Sequence, residues 1–230
     1  SPFDPDGDGE SNPVVWRPST GAWFIRDFGQ TGNNFAVSWG LPGDIPFVYD
    51  PKGSTSEVGV VRLVGTDLLW FFHGPGFLRS NNTRTTLLTF GIFGDILVPG
   101  PWEEAGVTNP AVARLFNNVW TFYIYKADGS IRTATIGQNG DLPKVQDYDG
   151  DGRFDIAVFR PAAARTIVIY SSNSSTHNFD FASGTADHTV RGDITGDGAD
   201  DISFWEPISG LFFSLTSDNN FNDTLGRNKN

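Results

Sequence analysis

The chain has 230 residues, with 16 Lys and Arg against 27 Asp and Glu, a formal net charge of −11, 14% aromatic residues and no cysteine. That charge argues against nucleic acid as a partner, because phosphates need a basic footprint. The absence of cysteine removes disulfide frameworks and thiolate metal sites, and no stretch reads as a membrane span.

No run has the period of a long amphipathic helix. The chain repeats instead. Its first copy opens with FDPDGDGESNPVVWRP at residue 3: an acidic run, then an apolar strand closed by Arg17, with Trp23 six positions later. LPGDIP places Asp44 at the turn into the second copy, where VYDPKGSTSEVGVV replaces the acidic run, Arg62 closes the strand and Trp70 follows. This copy is lengthened by HGPGFLRSNN, which is expected to expose His73 and Phe77. IFGDIL, with Asp95, leads into the third copy, whose GPWEEAGVTNPAVA has also lost the alternating aspartates; Arg114 and Trp120 follow.

QNGDLP, with Asp141, leads into the fourth copy and its stretch DYDGDGRFDIAVFRP, closed by Arg160. The fifth, after TADHTV with Asp187, carries GDITGDGADDISFWEP, with Glu206 in the arginine position and Phe212 in the tryptophan position. The turn aspartates Asp44, Asp95, Asp141 and Asp187 are spaced by 51, 46 and 46 residues, which makes five copies at approximately 1–44, 45–95, 96–141, 142–187 and 188–230.

Each copy has four short runs of strand type bounded by Gly, Asn, Asp and Pro, in the fourth copy roughly 142–146, 155–160, 166–171 and 177–182. Four antiparallel strands per period of about 46 residues predict an all-β, five-bladed β-propeller in one domain. Trp16, Trp23, Trp39, Trp70, Trp120 and Trp205 are then expected as filling between blades. The final LGRNKN aligns with IGQNGD, so a closed ring whose ends meet at one junction is the simplest expectation, and a piece of a longer array is its rival. The repeated Arg and Asp suggest ion pairs between each of Arg17, Arg62, Arg114 and Arg160 and the aspartate that follows it, Asp44, Asp95, Asp141 and Asp187 in turn.

In D-x-D-x-D-G-x-x-D the side chains at positions 1, 3, 5 and 9 and the carbonyl at 7 can converge on one cation, and glycine at 6 permits the sharp turn. The fourth copy offers Asp147, Asp149, Asp151, the Arg153 carbonyl and Asp155. The first offers Asp4, Asp6, Asp8, the Glu10 carbonyl and Asn12, and the fifth Asp193, Thr195, Asp197, the Ala199 carbonyl and Asp201. Five or more flexible oxygens suit Ca2+ better than the tight octahedron of Mg2+, and three scattered histidines without cysteine do not suit zinc. Three structural calcium sites are expected, with none in the second and third copies.

The pattern D-x-D-G-D-G-x-x-D followed by an R-P turn resembles the FG-GAP/VCBS-type repeat, the blade unit of integrin α-chain propellers. The resemblance covers the whole chain as a period and three of five copies as a motif. It implies a propeller with calcium in the loop between the first two strands of a blade, similar to calcium-holding lectin propellers, and it names no ligand.

Sites of this type need millimolar calcium, so a secreted or cell-surface location is expected. No nucleophile, base or open metal position can be assembled from the sequence, so an enzyme is not expected. A recognition module is, with a glycan as partner, or else a cell-surface protein in an adhesive or spacing role. Residues that break the repeat, Trp102, His73 and Phe77, are the candidate ligand contacts.

Overall fold

The computed structural model describes residues 3–5, 7, 11–26, 34–52, 55–74, 86–181, 188–217, 221 and 223–227. The chain is all-β, and its small antiparallel sheets are arranged as a five-bladed β-propeller. Blade 1 contains β1 (Val14–Arg17), β2 (Ala22–Arg26) and β3 (Asn34–Ser38). Blade 2 contains β4 (Ile45–Tyr49), β5 (Glu57–Val64), β6 (Asp67–Phe72) and β7 (Thr86–Ile92). Blade 3 begins with β8 (Ile96–Leu97), inserts a hairpin of β9 (Gly100–Glu104) and β10 (Val107–Asn109), and continues with β11 (Ala111–Phe116), β12 (Val119–Tyr125) and β13 (Ile131–Ile136). Blade 4 contains β14 (Leu142–Pro143), β15 (Ile156–Arg160), β16 (Arg165–Ile169) and β17 (Thr176–Asp180); blade 5 contains β18 (His188–Val190), β19 (Ile202–Glu206), β20 (Leu211–Thr216) and β21 (Asp223–Arg227).

In blades 2 to 5 the strand after the loop is buried on both faces over its first residues because neighbouring blades cover them. In β5, β11, β15 and β19 the first three or more residues are all buried, whereas β12 alternates along its length. Four cores join successive blades. Phe3, Trp23 and Val60 lie between blades 1 and 2, and Val61, Trp70 and Val112 between 2 and 3. Trp102, Val145 and Val158 lie between 3 and 4, and Tyr148, Phe159 and Phe204 between 4 and 5.

Trp23, Trp70 and Trp120 fill these junctions, and each buried indole N–H donates to a carbonyl: Trp39 O, Phe90 O and Asp141 O. Phe212 keeps the same register, opposite Trp205, but is 54% exposed, and the four interblade cores do not include it.

The arginine pairs form one copy earlier than the sequence suggested. Arg62 donates through two nitrogens to Asp44 at 2.7 and 2.8 Å, Arg114 likewise to Asp95, and Arg160 to Asp141 at 2.8 Å twice. Each of these three arginines therefore pairs with the aspartate that precedes it, and Asp44, expected to partner Arg17, is taken by Arg62. The reason is strand order: β4 and β5 are hydrogen-bonded neighbours with Ile45 opposite Val61, so the turn through which the chain enters a blade lies beside the end of that blade's second strand. The next turn aspartate lies beyond two more strands. Asp187 is outside the described residues. Each paired carboxylate also accepts a turn N–H, from Leu41, Ile92 or Gln138, and its side chain is 1% exposed.

Candidate functional site

One face of the propeller carries the loops that, in blades 2 to 5, connect the inner strand to the second strand, together with the described residues of the corresponding first loop. In the fourth loop, oxygens of Asp147, Asp149 and Asp151 all lie within 4.8 Å of one another. Positive-φ glycines at Gly150 (74°) and Gly152 (84°) let the backbone curl around Asp147, whose carboxylate accepts N–H groups from Gly150, Asp151 and Gly152. Asp155, fully buried, accepts from the Tyr148 and Ser171 N–H groups. Burial pushes the Asp147 carboxyl up to about 6 and that of Asp155 up to about 7; the N–H bonds oppose this, and neighbouring carboxylates add to it. Arg153 bonds Asp151 through its guanidinium.

The fifth loop repeats the design. Asp193 accepts from Gly196, Asp197 and Gly198, and buried Asp201 from Ile194, Thr195 and Ser217. The Ser217 hydroxyl lies 3.0 and 3.1 Å from the two Asp197 oxygens, 3.0 Å from Asp201 and 3.3 Å from the Ala199 carbonyl. One hydroxyl proton cannot satisfy four acceptors. In the first loop Asp4 accepts from Gly7, and the buried Asn12 carboxamide oxygen has no hydrogen-bond partner among the described residues. Asp6, Asp8 and Glu10 lie outside the described residues.

Sequence reasoning missed the serines that follow the third strand: Ser171 and Ser172 donate hydroxyls to Asp151 and Asp149, as Ser217 does to its own loop. The signal was present, since YSS at 170–172 and TS at 216–217 occupy matching places in their copies.

The loops are also stitched to one another. The carbonyl of a loop's first residue accepts an N–H from the penultimate position of the next loop, the eighth of nine or, in the shorter second loop, the seventh of eight: Asp4 from Ser56, Asp50 from Thr108, Pro101 from Phe154 and Asp147 from Asp200, at 2.6–2.7 Å. In three of these pairs the penultimate side chain returns a bond, accepting the first residue's N–H on Ser56 Oγ, Thr108 Oγ1 or Asp200 Oδ2. In the third blade Asn109 takes the place of Asp155, accepting from the Trp102 and Glu103 N–H groups and donating to Tyr125 O. A neutral amide thus closes this loop without a cluster of charge.

Of the candidate ligand contacts, Trp102 is a core residue: it is 1% exposed, its indole N–H bonds Val98 O, and it packs edge-on against Phe154. Its position in a degenerate loop suggested exposure, but the ring turns into the junction with blade 4. His73 is half-buried, edge-on to Trp39 and 3.9 Å from Glu57, and burial holds its imidazole below the ordinary value. Phe77 lies outside the described residues. Comparison with protein families, with curated proteins and with solved structures finds no match.

Proposed function

We propose that the protein is a calcium-stabilised recognition propeller of the secreted or cell-surface kind, without catalytic activity, and that its ligand is carbohydrate. The observation that carries the calcium reading is the convergence of oxygens that lack enough protons: four acceptors around Ser217 Oγ and the orphaned Asn12 oxygen. The donor set is oxygen throughout, which is the chemistry of a hard cation. Asp147, Asp149, Asp151, the Arg153 carbonyl and Asp155 would hold one ion, and Asp193, Thr195, Asp197, the Ala199 carbonyl and Asp201 another. A bound ion would neutralise the crowded carboxylates and brace loops that are already stitched from blade to blade.

Carbohydrate is favoured over polyanionic partners by the net charge of −11, and the cleft between blades 2 and 3 offers room for a small polar ligand. The test is a glycan array probed in millimolar calcium and again after chelation, beside a calcium titration followed by calorimetry. Binding to a defined glycan that weakens on chelation supports the reading. Silence across the array from folded, calcium-loaded protein removes it.

One observation favours a protein partner instead. At the strand ends away from the acidic loops, Phe93 at 72% and Phe116 at 66% exposure, with Leu63 and Val64 at the end of β5, present large apolar side chains to solvent, the kind of surface that can serve a protein partner. A protein that ignores every glycan, and whose adhesion to protein-coated surfaces is lost in Phe93→Ser, would return this second reading.

A further inference from the structure

A cleft of about 910 Å3 opens between blades 2 and 3 beside the loops that carry no aspartate run. In blades 3 and 4 the second loop position holds Trp102 and Tyr148, whose buried rings pack against Phe154 and Phe221. Blades 1 and 2 have Pro5 and Pro51 there, and the rings one residue before the loop, Phe3 and Tyr49, are buried in the cores between blades 1 and 2 and between blades 2 and 3. The blade 2 loop from Asp50 to Glu57 is also one residue shorter than those from Pro101 to Asn109 and from Asp147 to Asp155. Among the described residues, no second-position ring enters the cleft.

The lining mixes aromatic and polar groups. Phe72 and Tyr125 contribute rings from the two blades, buried Glu57 a carboxylate, and Lys52 and Lys126 ammonium groups. Apolar walls with a few placed polar groups, in a volume of 300–1,000 Å3, describe a small-molecule site. Aromatic rings suit the C–H face of a pyranose, a carboxylate accepts hydroxyl protons, and lysines donate to hydroxyl and ring oxygens.

We propose that this cleft is the carbohydrate site and that it accepts a single pyranose unit, one per chain. The inference rests on the carbohydrate reading above.

The experiment screens free glucose, galactose, mannose and N-acetylglucosamine by saturation-transfer NMR, followed by titration calorimetry of any that respond. One site per chain is expected, with at least tenfold weaker binding in Pro51→Trp, which places a bulky ring on the cleft wall at an exposed position, and an unchanged melting curve. Lys52→Ala, a surface change that leaves the core intact, is expected to weaken binding several-fold and decides the matter if Pro51→Trp does not fold. Full affinity in the folded variants, or several sites per chain, overturns the assignment of the cleft while leaving carbohydrate binding in place. No response to these sugars or to the glycan array overturns both.

Discussion

Phe154 donates its backbone N–H to the carbonyl of Pro101 at 2.7 Å, and this pair alone among the four stitched junctions makes no return bond. Proline has no N–H to offer, so the eighth position is released from supplying an acceptor, and an aromatic ring takes its place. That ring lies over Gly100, where an added Cβ would come within 2.0 Å of it. Phe154→Ala is expected to cost about 3–5 kcal/mol through the void it leaves, and Ser56→Ala about 1–2 kcal/mol through the unpaired Asp4 N–H. Urea denaturation of both variants checks the order; a Ser56→Ala loss equal to that of Phe154→Ala would contradict it.

The Arg160–Asp141 pair holds a carboxylate whose side chain is 1% exposed. Arg160→Ala should destabilise by about 2–3 kcal/mol, because the carboxylate stays buried without its partner, and Arg160→Ala with Asp141→Asn should recover part of the loss. Although burial opposes it, the Arg160 guanidinium and the Gln138 N–H hold the Asp141 carboxyl below the ordinary aspartate value. A lowered carboxyl stabilises the fold above its unfolded value, near 4, and that contribution disappears as pH falls through the lowered folded value. Acid titration of wild type and the double variant should diverge below about pH 4; superimposable acid limbs would count against the pair.

Lys144 is buried, with its ammonium 3.2 Å from Val190 O, and burial, with help from Arg191, lowers it to about 7. Between pH 7 and the ordinary lysine value near 10, the unfolded chain holds a proton that the folded chain has released, so stability rises with pH across that window. The slope is bounded at about 1.4 kcal/mol per pH unit for one group. Lys144→Met should abolish the rise between pH 7 and 9 and be the more stable protein at pH 6. Parallel melting curves for the two proteins over that range would show that the lysine keeps its proton.

Ser217→Ala removes the hydroxyl surrounded by the fifth loop's oxygens. In chelator it should lose about 1 kcal/mol, a hydrogen bond's net worth, and calcium at millimolar concentration should restore more stability to it than to wild type. An identical loss with and without calcium would detach the serine from the cation site. Asp155→Asn should reduce the number of calcium ions bound by one, and Glu103→Gln, in a degenerate loop, should leave the number unchanged.

Much of the propeller was legible in the chain. The recurrence of Asp44, Asp95 and Asp141 and of Trp23, Trp70 and Trp120 set the period, because each repeat meets the same neighbours and so needs the same residues. The strands of the fourth blade fall within a few residues of their sequence bounds, except that the inner strand shrinks to Leu142–Pro143 with an isolated bridge between Gln146 and Asp155. The spacing of aspartates and glycines likewise specified which carboxylates of the fourth loop would crowd together, since contacts within nine residues depend on local backbone geometry. What only the tertiary structure decided were relationships across strands and blades. Arg62 could have faced Asp44 or Asp95 until strand order placed the earlier aspartate beside it. Trp102 could have faced water or the next blade, and packing against Phe154 turned it inward. The cleft beside Pro51 is lined from two blades, by Phe72 on one and Tyr125 on the other, and such a lining forms a site only once the blades stand together.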